Sequence, residues 1–178
     1  KMGISAAMND FGRVVIVCRM KHDRPHDDIA YECFQYKRTL AVLPLGGNTS
    51  SVVVTLPADM SEALMAMDKN AFNTDIQHRF GDRLGRMELV GKRYLYPLVG
   101  VHANRFTAQR FALIGDAAVG MHPVTAHGFN LGLRGQNTLA RNIRWALDRD
   151  LDIGGPGVLD DYHAVHSRVT WPLYLGTN

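Results

Sequence analysis

The chain has 178 residues, 46% hydrophobic and 21% charged, with a net charge of +3. That composition excludes a disordered or low-complexity chain, and the length suits one domain or two small ones. No apolar run approaches the ~20 residues that span a bilayer. Lys1-Met2-Gly3-Ile4 has no signal-peptide core, and so small a positive charge does not argue for nucleic acid. A cytoplasmic protein is expected, with peripheral membrane contact as the minority alternative. Cys18 and Cys33 sit in strand-like apolar runs. A reduced, buried pair is expected there, a disulfide being left open. The eight histidines show no zinc-site spacing, so no metal site is expected.

The first half reads as β-rich. Gly12 to Met20 is β-branched, Ala30 to Tyr36 alternates apolar with polar, and Thr39 to Leu45 and Ser50 to Leu56 flank Gly46-Gly47-Asn48. The last pair predicts an antiparallel hairpin in a sheet of which one face is expected to line a substrate pocket, since Val52, Val54 and Leu56 alternate with Ser51, Val53 and Thr55. Asp59 or Ser61 is expected to cap a short helix carrying Leu64, Met65 and Met67. Phe72, Ile76 and Phe80, at i, i+4, i+8, predict a helix over 70–84 that Gly85 ends. Strands are expected over 87–90 and 93–98, with Pro97 at an edge, and 101–109 is read as connective. Phe111 to Ile114 reads as a short buried strand ending in Gly115-Asp116. After a loop containing Pro123, a helix is expected over 129–149. Leu133, Ala140, Ile143 and Leu147 would form its apolar face, with Arg134, Asn137, Arg141 and Arg144 turned away. A last helix starts at Pro156 and carries Leu159, Tyr162, Val165 and Val169. The fold class expected is α+β: an antiparallel or mixed sheet followed by a helical part, with a domain boundary between 109 and 110.

The informative segment runs from Arg110 to Ile143. Gly115-Asp116 places a carboxylate at a strand's carboxyl end, where α/β architectures bind ligands. Gly128-Phe129-Asn130-Leu131-Gly132 opens a long helix, whose first N–H groups are unpaired and carry partial positive charge. Glycines there let a ligand approach the backbone. An acceptor of hydroxyl hydrogen bonds thus lies near donors for carbonyls, which suits a polyol-plus-heteroaromatic ligand. A lone Gly-Asp would be read as a strand-to-turn device; the longer pattern reverses that preference.

GDAAVGMHPVTAHGFNLGLRGQNTLA resembles the second flavin motif of FAD-dependent aromatic hydroxylases of the para-hydroxybenzoate hydroxylase type. Within that group it is most similar to the ubiquinone-biosynthesis hydroxylases, where the pattern reads roughly GDAAHxxHPxxGQGxNLGLxD. Upstream, Pro25-His26, Leu43-Pro44-Leu45, Ser50-Ser51-Val52-Val53 and Gly91-Lys92-Arg93 with Tyr96-Pro97-Leu98 resemble the substrate-domain strands. Downstream, Asp152-Ile153-Gly154, Leu159, Tyr162 and Arg168 resemble the C-terminal helices. The resemblance covers nearly the whole chain. It implies a cofactor site made of Gly115, Asp116, Pro123, Gly128, Phe129, Asn130 and Leu131. Asp116 would bond the ribityl chain of FAD and Pro123 would lie beside the isoalloxazine ring. The helix start would hold the pyrimidine edge, where it stabilises negative charge. No catalytic side chain is assigned. NAD(P)H is the implied electron donor, and the implied substrate is a prenylated quinol or aromatic ring. A ubiquinone-biosynthesis complex or a homo-oligomer is the implied partner, without nucleic acid.

Val119 stands where the family has histidine, Ala126-His127 where it has Gly-Gln, and Arg134-Gly135-Gln136 where it has an acid. These read as a subfamily variant. The family's N-terminal GxGxxG has no counterpart, since Gly128-x-x-x-Gly132-x-x-Gly135 has another spacing and no strand before it. The resemblance therefore implies the C-terminal part of a longer enzyme, inactive by itself and with little affinity for FAD. The rival reading is a non-catalytic quinone-binding or complex-forming module without flavin. His102, His122 and His127 are read as polar loop residues, with proton carriage as the alternative, and Arg141, Arg144 and Arg149 as a solvated face, with contact to anionic lipid headgroups as the alternative. Met60, Met65 and Met67 are read as core filler. Trp145, Trp171 and Tyr174 are read as packing, with an exposed aromatic face as the alternative.

Overall fold

The computed structural model describes residues 2–122 and 127–177. It is α+β, and two compact units divide it: Gly12–Leu98, and Lys1–Phe11 with Val99–Asn178. The division falls inside the two longest strands, β1 (Ala6–His22) and β5 (Met87–Ala103), so each strand belongs to both units.

In the Gly12–Leu98 unit, β2 (Tyr31–Gln35), β3 (Arg38–Pro44) and β4 (Thr49–Pro57) join β1 and β5 in the order β2-β3-β4-β1-β5. β3 pairs antiparallel with β4 from Thr39↔Thr55 to Pro44↔Ser50, and Leu45 N–H donates to the Thr49 carbonyl at 2.9 Å to close the expected hairpin. β4 pairs antiparallel with β1, Val54 opposite Ile16 and Val52 opposite Cys18. Alternation then dictates the faces: Val52, Val54 and Leu56 are buried, while Ser51, Val53 and Thr55 are half-buried. The buried face packs on Leu64 of α1 (Ser61–Ala66) and on Phe72, Ile76 and Phe80 of α2 (Lys69–Phe80), which share one stripe as their spacing requires. Burial pushes the Cys18 thiol up to about 12, with Arg93 opposing.

The caps differ from expectation. Neither Asp59 nor Ser61 caps α1. A 3-10 turn at Ala58–Met60 precedes it, and Ser61 already has helical φ and ψ, with its hydroxyl donating back to the Ala58 carbonyl at 2.7 Å. An N-cap needs an extended backbone. Asp68 meets that need, and its Oδ1 accepts from Ala71 N–H at 2.9 Å to cap α2. Asp68→Ala should cost about 1 kcal/mol, read as a lower urea midpoint with an unchanged slope; an unmoved midpoint would show the cap contributes nothing. α2 ends at Gly81, not Gly85, because Gly81 takes the left-handed conformation that closes the last turn. The two strands expected over 87–98 form one, since Gly91 (φ 76) lets β5 pass a kink without breaking. β5 also absorbs 101–103.

In the other unit, β6 (Thr107–Ala108) and β7 (Phe111–Ala112) form a small antiparallel pair, and β8 (Val119–Gly120) pairs antiparallel with β5. The buried strand expected over 111–114 is therefore only two residues long. Arg110, at φ 54, turns the chain back on itself, and Ile114 is 46% exposed. α3 (His127–Leu147) starts two residues earlier than expected and packs on α4 (Pro156–Thr177). Asn142 fastens the pair through the Val158 carbonyl (3.1 Å) and Asp161 (2.9 Å). The buried face of α3 is Leu131, Gly135 and Ala146, not the stripe expected; Leu133 and Leu147 are 49% and 57% exposed. α3 carries two apolar stripes of the same period, and α4 covers the one with the small residues, which admits closer approach.

Candidate functional site

The site forms within the unit of Lys1–Phe11 and Val99–Asn178. Ile114 is extended and Gly115–Ala117 then forms a 3-10 turn, with Ala118 N–H donating to the Gly115 carbonyl at 3.0 Å. The turn is anchored through Leu113, which donates its N–H to the Phe106 carbonyl and accepts from the Tyr162 hydroxyl, both at 2.7 Å. Burial pushes the Tyr162 hydroxyl up to about 12, so it remains a donor at neutral pH. Tyr162 read from the sequence as one more helix-face residue; a phenol on an otherwise apolar stripe is the signal that it needed a hydrogen-bond partner.

α3 begins against this turn. A methyl group on Gly132 would lie 3.5 Å from the Gly115 Cα, and one on Gly128 4.0 Å from the Asp116 carboxylate. The fold thus brings together Gly115, Asp116 and the α3 start with Gly128, Phe129, Asn130 and Leu131. The Asp116, Phe129 and Asn130 side chains are exposed, Phe129 by 77%. The Leu131 side chain is buried, so its backbone is what a ligand would meet. Pro123 lies outside the described residues. His122 stacks edge-on with Phe11 at 4.8 Å, and His127 is exposed. Among the described residues no group of three His, Cys, Asp or Glu side chains is placed to hold a metal.

Chemically, the arrangement offers a carboxylate acceptor beside a helix start whose leading N–H groups have no partner within the helix. Glycines keep the surface between them open. A hydroxyl chain at Asp116 and a carbonyl-bearing, electron-rich ring edge at α3 fit this set. In the other unit, the sheet face opposite α1 and α2 carries a groove of about 570 Å³ lined by Val17, Arg19, Leu45, Ser51, Val90 and Tyr94, among others.

The family described as FAD binding domain matches residues 4–175, and the chain belongs to it. Among curated relatives, the ubiquinone hydroxylase UbiM of Neisseria meningitidis (serogroup C, serotype 2a) is 46% identical over 178 residues, all of this chain and 39% of that protein. The ubiquinone hydroxylase UbiL of Rhodospirillum rubrum is 40% identical over 163 residues, 92% of this chain and 38% of that protein. The chain thus spans about two fifths of the length of these relatives. Among solved structures, the myxobacterial chondrochloren halogenase CndH, described as a variant of FAD-dependent halogenases, superposes with a TM-score of 0.78 at 17% identity, over 97% of this chain and 42% of that one. That likeness is one of fold.

Proposed function

We propose that the chain supplies the substrate-domain sheet and the C-terminal part of the flavin site of an FAD-dependent monooxygenase, which hydroxylates a prenylated quinol or aromatic ring in ubiquinone biosynthesis with NAD(P)H as electron donor. The observation that carries this reading is the seating of the glycine-lined α3 start against Asp116. The names of the relatives sharing 46% and 40% identity support the substrate class. We assign the sheet up to residue 109 to substrate and residues from 110 onwards to the flavin.

In this reading Asp116 accepts hydrogen bonds from ribityl hydroxyls. The N–H groups at the start of α3, around Gly128, Phe129, Asn130 and Leu131, orient the pyrimidine edge, and Pro123 flanks the ring. Bound flavin supplies electron transfer and oxygen activation. The chain's own part is to orient the ring, to stabilise negative charge at its pyrimidine edge through the helix start, and to cover the substrate with the open sheet face. A prenylated substrate resides in the bilayer, so the working position is the cytoplasmic membrane surface. No helix among the described residues is long and apolar enough to cross the membrane.

Complementation of a bacterial strain lacking its ubiquinone hydroxylase, by the longer enzyme that this reading implies, tests this, with flavin content of that purified enzyme measured in parallel. Restored ubiquinone with flavin-loaded protein is the expected result. A colourless protein that binds a quinone and restores nothing would put the non-catalytic module in its place. A second expectation concerns the 178-residue chain alone. Because Ile114, Asp116, Phe129 and Asn130 are exposed, it offers the flavin one open surface rather than an enclosing site, and FAD should bind it weakly. Stoichiometric quenching of FAD fluorescence at micromolar protein would refute that.

A further inference from the structure

We propose that His102, His163 and His166 form an acid-released clasp: their protonation drives α4 away from β5 and α3, and so unseats the helix whose start faces Asp116. His102 on β5 and His166 on α4 are 3% and 1% exposed. Both pack on Phe106, at 5.1 and 5.5 Å, with His163 against the same ring at 5.4 Å. Trp171 and Tyr174 close over His102, and Tyr162 stacks on His166 at 5.6 Å.

The bonding holds the rings neutral. The Thr170 hydroxyl donates to the His166 carbonyl (3.0 Å), so towards His102 it accepts, and the His102 proton sits on Nε2 (3.1 Å). His163 Nδ1 accepts the Phe106 N–H at 3.3 Å, a bond that a second proton would break. His166 Nδ1 is buried with no hydrogen-bond partner to receive one. The charged groups around the cluster add to the effect. Arg134 of α3 disfavours charge on His166, as does His102; Arg105 disfavours it on His163, and His163 on His102. Asp160 favours a charged His163 but is already paired with Arg105 at 2.8 Å, and the Ala103 backbone favours charge on His102 less than burial opposes it. Burial is the largest cause for all three, and it lowers each below the ordinary histidine range.

The sign follows. Below about pH 6.5 the unfolded or opened chain binds protons that the closed form refuses, so the closed form is favoured above that pH and lost below it. The consequence reaches α3 directly: the His166 ring lies where a methyl on Gly135 would be only 2.7 Å away, so α3 rests on this imidazole.

Hydrogen exchange of α3 and α4 in the full chain, from pH 8 to pH 5, tests the clasp and does not depend on flavin. The opening constant, corrected for the intrinsic pH dependence of exchange, should rise about tenfold per pH unit for each proton taken up, approaching a hundredfold for His102 and His166 together. The double variant His102→Gln/His166→Gln should lose most of that slope, whatever its absolute stability. Should the variant not fold, NMR titration of the wild type decides: the His102 and His166 rings should keep neutral-imidazole shifts until the helices open. A flat opening constant, a full slope in the double variant, or rings that titrate near pH 6.5 in the closed protein would overturn the proposal.

Discussion

Phe72→Ala should lower the stability of the Gly12–Leu98 unit by about 3–5 kcal/mol, the usual cost of emptying a buried phenylalanine site. The ring is fully buried among Leu64, Ile76 and the sheet. It also supports Arg93, whose guanidinium lies 4.8 Å from the ring centroid while donating to the carbonyls of Leu64 (3.0 Å) and Met67 (2.7 Å) at the end of α1. Truncation therefore leaves a cavity between α2 and the sheet and removes the platform under the group that closes α1. The folding constant should fall by about two to four orders of magnitude, since each 1.4 kcal/mol is tenfold. Urea unfolding of the variant measures this. A loss below about 1 kcal/mol would mean that the site collapses without a void, and that Phe72 does not hold α2 to the sheet.

In the full-length enzyme that the proposed function implies, Asp116→Ala should leave the protein folded and strip it of flavin. The side chain is exposed, so its removal opens no cavity, and the 3-10 turn it belongs to is anchored elsewhere, through Leu113 and Tyr162. What is lost is a charged acceptor for hydroxyl groups, worth about 1.5–3 kcal/mol per hydrogen bond. FAD affinity should weaken by about one to two orders of magnitude. If Asp116 instead serves its own loop by accepting backbone N–H bonds, the variant should lose about 1 kcal/mol of stability and keep its flavin. The flavin-to-protein ratio and the melting temperature of the same preparation separate the two. A lower melting temperature at full flavin occupancy would remove Asp116 from the cofactor site.

The sequence by itself determined whatever a single stretch of chain carries. The alternation of Val52, Val54 and Leu56 with Ser51, Val53 and Thr55 identified a one-face-buried strand, and Gly46-Gly47-Asn48 its hairpin. The i, i+4, i+8 spacing of Phe72, Ile76 and Phe80 identified the face of α2. The Gly-Asp turn followed by HGFNLGL identified a candidate ligand site, because acceptor, glycines and helix start all lie in one segment. Only the tertiary structure decided what depends on a partner from elsewhere in the chain. β5 runs unbroken through Gly91 because pairing with its neighbours outweighs a local break signal. The two stripes of α3 have equal period, and the one that is buried was settled by α4, whose His166 fits only where Gly135 leaves room. His102 read as a polar loop residue until β5 and α4 met around Phe106, where His163 and His166 join it. Burial and hydrogen-bond supply are properties of that meeting, and local spacing does not encode them.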